Sequence, residues 1–203
     1  MLRQLVLAFD TSAAACDIAV LGGKDVLAHR KEVMAKGQAE RLLPLCAEIL
    51  ASVGANVTDL AAIGVGVGPG NFTGIRIAVA AARGLALGLR IPAVGVSTFD
   101  ALRLGFDHPC VCTVDARRAQ AYVQEYSDMS AVGEPGIRPL STLEAFNLPI
   151  IGVGGRQSQY PLSVAIAKIA TVRRIEPSER PAPMYLRPAD AAPAKDAPPL
   201  ILE

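Results

Sequence analysis

The chain sets out one plan twice, and that repetition limits its fold more than any other feature. An apolar run over residues 5–9 ends at Asp10-Thr11-Ser12, and a second run over residues 16–21 follows the small residues Ala13 to Ala15. In the second half, residues 110–114 run into Asp115-Ala116-Arg117, and residues 121–126 return. Short apolar runs parted by a polar turn read as hairpins. Further on, Ile150-Ile151-Gly152-Val153-Gly154-Gly155 echoes Ile63-Gly64-Val65-Gly66-Val67-Gly68, each a strand running into glycines. The pattern predicts two related lobes, residues 1–105 and a shortened 106–188. A Pro/Ala-rich tail over 189–203 is expected to be disordered.

The first lobe is the more explicit. Gly22-Gly23 turns the chain into a third strand over 26–33. From Gln38 the period changes: Leu42, Leu45, Cys46, Ile49 and Val53 recur at helical spacing, with Glu40, Arg41 and Glu48 elsewhere on the wheel. Pro44 is a candidate kink and Gly54 the stop. Residues 61–67 read as a strand, Gly68-Pro69-Gly70-Asn71-Phe72 as a loop, and Thr73 or a near neighbour as the cap of a helix over 75–89. A strand over 91–96 and a helix over 99–104, capped by Ser97-Thr98, complete the lobe. A three-strand meander followed by helix, strand, helix, strand, helix fits an α/β fold, a mixed sheet with helices on its faces.

Composition narrows the function. Hydrophobic residues at 51% against 19% charged are too apolar for disorder, and part of that apolar surface is expected to cover a partner. A net charge of +1 without a basic run, and 4% aromatics without Trp, argue against tight nucleic-acid binding by the chain alone. Cys16, Cys46, Cys110 and Cys112 form no C-x-x-C pair and read as buried small hydrophobes. His29 and His108 make no H-x-x-x-H pair, so no metal site is expected. The apolar N-terminal run is too short for a signal peptide. Residues 61–96 are cut by Pro69, Arg76, Arg83, Arg90 and Pro92, short of the ~20 apolar residues of a membrane span. The expectation is a cytoplasmic protein with no membrane association.

Three motifs carry chemical interest. Asp10-Thr11-Ser12, with Asp115 at the equivalent point of the second half, has the residue types to hold hydrated magnesium and meet a phosphate, as in a small actin-fold kinase or ATPase. A turn tied off by its own side chains explains the same residues more simply. The stretch Gly68-Pro69-Gly70-Asn71-Phe72-Thr73-Gly74 fits neither standard phosphate loop, since no Lys follows and Pro69 removes an amide. It reads as a structural turn that fixes Asn71 and Phe72. The following helix carries Ala80-x-x-x-Gly84-x-x-x-Gly88, a smooth stripe that admits another backbone closely. Packing on the chain's own sheet accounts for part of it.

Taken together, Asp10-Thr11-Ser12, Gly37-Gln38-Ala39-Glu40-Arg41-Leu42-Leu43-Pro44 and above all residues 66–76 followed by 78–88 resemble the TsaB family, also called YeaZ. Gly152-Val153-Gly154-Gly155 and Pro183-Met184-Tyr185-Leu186-Arg187 fit it as well, so the resemblance covers residues 4–188. It implies an actin-like (ASKHA) two-lobed fold with an RNase H-like mixed sheet. It also implies a place in the complex that transfers threonylcarbamoyl from its adenylate to the adenosine beside the anticodon of tRNA. In that family the catalytic TsaD subunit supplies the metal-binding histidines, TsaB dimerises with it, and the ATPase TsaE joins them. No cofactor is then expected for this chain alone, with ATP or ADP and Mg belonging to the complex. A homodimer is expected when the partner is missing, and tRNA is met only through the complex. The family's contact uses the helices that here span 38–52 and 74–89. The residues expected at it are Gln38, Glu40, Leu42, Leu45, Ile75, Arg76, Val79, Ala82 and Arg83. Many members carry His where Gln38 stands.

Overall fold

The computed structural model describes residues 5–127, 130–175 and 179–187; the tail over 189–203 lies outside the described residues. The first sheet starts as an antiparallel meander of β1 (Leu5–Asp10), β2 (Ala15–Gly22) and β3 (Asp25–Val33). Helix α1 (Gln38–Ser52) carries the chain back, and Gly54 follows it in the left-handed region at φ 68°. β4 (Leu60–Gly66) then runs parallel to β1, and helix α2 (Phe72–Leu89) leads to β5 (Ala93–Val96) beside β4. Strand order is β3-β2-β1-β4-β5. Asn71, not Thr73, caps α2: its Oδ1 accepts from the Gly74 amide at 2.9 Å, while Thr73 is already inside the first turn. Ser97 caps the short α3 (Thr98–Arg103) as expected, accepting from the Asp100 amide at 3.0 Å.

The second sheet repeats the opening. β6 (Cys110–Asp115), β7 (Gln120–Ser127) and β8 (Ser130–Pro139) form a meander, and β9 (Ile150–Gly152) lies parallel to β6. One face packs on Phe99 of α3 and the other on a 3₁₀ turn around Leu143.

Helix α4 (Leu162–Arg173) follows β9 in sequence but packs on the first sheet. Ile166, Ala167 and Ala170 meet Val6, Ala8, Ala19 and Val94 there, while Leu7, Phe9, Ile18 and Val65 on the opposite face meet α1 and α2. That covering of both faces explains why all six residues of β1 are buried rather than every second one. Gly64 permits the approach, since a β-carbon there would stand 2.9 Å from that of Ala170. The helix start is pinned as well, because Ser163 Oγ donates to Asp17 Oδ1 at 2.6 Å and His29 Nε2 lies 2.8 Å from the same oxygen. A strap over 179–187 ties the lobes again. The Met184 amide donates to Val67 O at 2.8 Å, Met184 and Leu186 pack in the second lobe's core, and Arg187 Nη2 donates to Gln120 Oε1 at 2.7 Å.

Truncating the fully buried Ile166 to alanine should therefore cost about 2–5 kcal/mol, because the rigid sheet beneath cannot close the cavity. Val172→Ala, on the exposed side of the same helix, should change stability by less than ~0.5 kcal/mol. Urea unfolding of both variants decides the matter, and equal losses would mean that α4 is not held by this face.

Candidate functional site

Between the lobes lies an open cleft of about 1560 Å³, lined among others by Ser12, Asn71, Phe72, Thr98, Asp115 and Tyr185. Its floor is the meeting of the Asp10-Thr11-Ser12 turn with the loop before α2. Thr11 Oγ1 donates to Gly74 O at 2.6 Å, and the Asn71 amide donates to Ser12 O at 2.8 Å. A β-carbon on Gly74 would collide with the Thr11 carbonyl, and one on Gly70 would stand 2.7 Å from Ser12 Cβ. The other end of the loop is tied to α3: the Thr98 amide donates to Gly68 O at 2.7 Å and Thr98 Oγ1 to Pro69 O at 3.1 Å. The Gly68–Pro69 peptide bond is cis. Gly68, Pro69, Gly70, Thr73 and Gly74 thus shape a turn that grips the β1–β2 hairpin.

The acids that look equivalent in sequence stand in opposite environments. Asp10 is buried; Ser12 donates to its Oδ1 through both amide and hydroxyl at 2.8 Å, and its Oδ2, against Gly66, has no hydrogen-bond partner among the described residues. Burial pushes its carboxyl up to about 6; the Ser12 hydrogen bonds oppose the shift and the nearby Asp17 charge adds to it. Asp115 is exposed, and its Oδ1 accepts from the Arg117 amide at 2.7 Å. Among the described residues no three His, Cys, Asp or Glu side chains converge on a point where a metal ion would sit. The four cysteines are buried, and burial pushes the thiols of Cys46 and Cys112 up.

The residues expected at a partner contact divide. Leu42, Leu45, Ile75, Val79 and Ala82 are at most 3% exposed and lie in the chain's own core, facing the sheet rather than solvent. Gln38 is half-buried, donating from Nε2 to Met34 O at 3.1 Å; Glu40 and Arg83 are exposed. Arg76 is exposed but engaged: its guanidinium stacks 3.8 Å from the Phe72 ring centroid, and its Nε donates to the Tyr185 hydroxyl at 2.7 Å. What α2 turns outward is Ala80, Arg83, Gly84, Leu87 and Gly88, with Leu87 79% exposed. A β-carbon at Gly84 or Gly88 would meet nothing within 4 Å. α1 packs beside α2 and exposes Leu43, Pro44 and Ala47.

A family model described as "TsaD: tRNA N6-adenosine threonylcarbamoyltransferase" matches residues 26–139. The tRNA threonylcarbamoyladenosine biosynthesis protein TsaB of Escherichia coli is 37% identical over 126 residues, 60% of this chain and 54% of that protein. The chain belongs to the TsaB (YeaZ) family. The chain thus spans about half the length of that curated TsaB relative. An uncharacterized protein of Mycobacterium tuberculosis is 32% identical over 93% of this chain and 94% of its own length. YeaZ from Pseudomonas aeruginosa superposes with a TM-score of 0.70 at 25% identity, covering 90% of this chain and all of that one. A second solved structure, described as similar to peptidase YeaZ of the same organism, gives a TM-score of 0.73 at 24% identity over 91% of this chain. The two-lobed, actin-like fold is that of the family, and the cleft lies where its lobes meet.

The buried Asp10 makes stability depend on pH. The folded chain holds that proton more tightly than the unfolded chain, whose Asp titrates near 3.8, so stability falls as pH rises from about 4 to about 6 and stays lower above. Asp10→Asn cannot ionise and should remove this part of the slope. The test is the difference between variant and parent in urea melts across that range, and a constant difference would show that Asp10 ionises without penalty.

Proposed function

We propose that this chain is a non-catalytic subunit that binds and activates a TsaD-type catalytic subunit in threonylcarbamoyladenosine modification of ANN-decoding tRNA. The observation that supports this best is the outward stripe Ala80, Gly84, Gly88 on α2. A glycine inside a helix costs about 1 kcal/mol against alanine, and at 84 and 88 the chain gains no close packing of its own in return. A helix from outside can approach such a stripe backbone to backbone, with Leu87 and Leu43 supplying apolar area beside it. By length and composition α2 also passes as a membrane span. Its inner face is committed to the sheet, however, and Arg76 and Arg83 stand on its outer side, which favours a protein partner. The same face serves a homodimer when the partner is missing. A TsaE-type ATPase completes the assembly in the cytoplasm, ATP or ADP with Mg belongs to that assembly, and the catalytic partner brings the tRNA.

The rival reading, a small kinase or ATPase using Asp10 and Asp115 around magnesium, fits the geometry less well. Asp10 is enclosed, and the Thr11 and Ser12 hydroxyls are spent on Gly74 and Asp10 rather than on a ligand.

Gly84→Glu should abolish the heterodimer with the TsaD-type subunit in size-exclusion chromatography while the isolated chain still unfolds cooperatively. Gly84→Ala should stabilise the isolated chain by up to about 1 kcal/mol and weaken the complex. Unimpaired complex formation and tRNA modification by Gly84→Glu would remove this face from consideration.

A further inference from the structure

We infer that the tip of the β6–β7 hairpin is a contact for the phosphate backbone of RNA, made by this chain itself. The inference rests on the proposed role in tRNA modification and adds a surface to it. Arg117, Arg118 and Ala119 occupy the left-handed region in succession, at φ 61°, 52° and 56°. Residues with a β-carbon rarely adopt that conformation, and seldom in a run. The turn is locked from several sides. The Arg117 amide donates to Asp115 Oδ1 at 2.7 Å, the Gln120 amide to Arg117 O at 3.0 Å, and the Leu140 amide to Ala119 O at 2.9 Å. The result is two adjacent arginines held outward on a rigid tip, both exposed.

Two more guanidinium groups lie at the base of the hairpin, one on each face of β7: Arg187 is bonded to Gln120 Oε1, and Arg138 stands opposite Ala121. Among the described residues none of these four has a carboxylate partner, whereas Arg30, Arg41 and Arg173 elsewhere do. The acid nearest in sequence, Asp115, is occupied by a backbone amide. Arg117 and Arg187 also line the cleft, where Lys31 and Lys36 join them against Glu40 and Asp115. Four cations against two anions give that lining a positive balance in a chain whose whole net charge is +1. Guanidinium forks bind phosphate oxygens in pairs. Guanidinium groups on an exposed tip suit backbone contact rather than sequence reading. The outward stripe of α2, Ala80, Gly84 and Gly88, is not on that cleft lining, so RNA and a protein partner need not compete for one surface.

The test is fluorescence anisotropy of labelled unmodified tRNA titrated with the full chain at several salt concentrations from about 50 mM upward. The parent chain should bind weakly, with Kd roughly 10⁻⁵ M at the low end. Arg117→Ala/Arg118→Ala should weaken binding several-fold and lower the slope of log K against log salt by about 1.5, since each lost phosphate contact removes roughly 0.7–0.9. Arg117→Lys/Arg118→Lys, which keeps the charges, should retain most of the affinity. Binding unchanged in the alanine variant, or absent in the parent at low salt, would overturn the contact. So would displacement of the tRNA by ATP beyond the effect of ionic strength, which would mark a free-phosphate site instead. Heterodimer formation with the TsaD-type subunit is measured on the same proteins: the alanine variant should keep it, and a parent chain that forms none would count against the proposed function, not against the hairpin.

Discussion

The carbonyl of Thr11 lies where a β-carbon on residue 74 would have to be, and the hydroxyl of the same threonine donates to the carbonyl of Gly74. This backbone-to-backbone approach seats the first turn of α2 directly on the β1–β2 turn. It also consumes the groups that give the Asp10-Thr11-Ser12 motif its likeness to a nucleotide site. In a phosphate-binding arrangement, hydroxyls and loop amides face an open space; here they face each other, and Asp10 is shut in beside Gly66. The enclosure that raises the carboxyl's affinity for its proton also keeps a hydrated ion away from it. With its start fixed in this way, α2 has its rotation about its own axis set, and the small residues fall on the outside.

That rotation explains which expectations from sequence hold and which fail. Apolar residues that recur at helical spacing are those that face the chain's own sheet, so Leu42, Leu45, Ile75, Val79 and Ala82 identify the helices correctly and for the same reason present almost no surface to solvent. The face left over, Ala80, Gly84 and Gly88, has no periodic signal beyond its smallness. The meander strands and β4 were legible because short apolar runs end at clear turn residues. α4 was not, because Leu162, Val164, Ala165, Ile166, Ala167, Ile169 and Ala170 surround the helix with little polar contrast, the mark of a helix buried on most sides. β8 carries no strand signal, because Gly133, Pro135 and Gly136 interrupt any alternation along an edge strand. The likeness of Asp10 to Asp115 was real in chain position and misleading in chemistry, since no loop equivalent to 68–74 closes over the second acid.

The strap over 179–187 joins these observations. Tyr185 is held by Phe72, at a ring separation of 4.8 Å, and by Arg76, one turn apart at the start of α2. One residue to either side, Met184 and Leu186 enter the second lobe's core, and the next residue, Arg187, is placed against Gln120 at the hairpin tip. Packed side chains transmit displacement because the interior has little free volume to absorb it. The stack on Tyr185 therefore sets the strap, and the strap sets the guanidinium of Arg187 beside Gln120. One continuous run of contacts within this chain thus joins the start of α2 to the base of the β6–β7 hairpin.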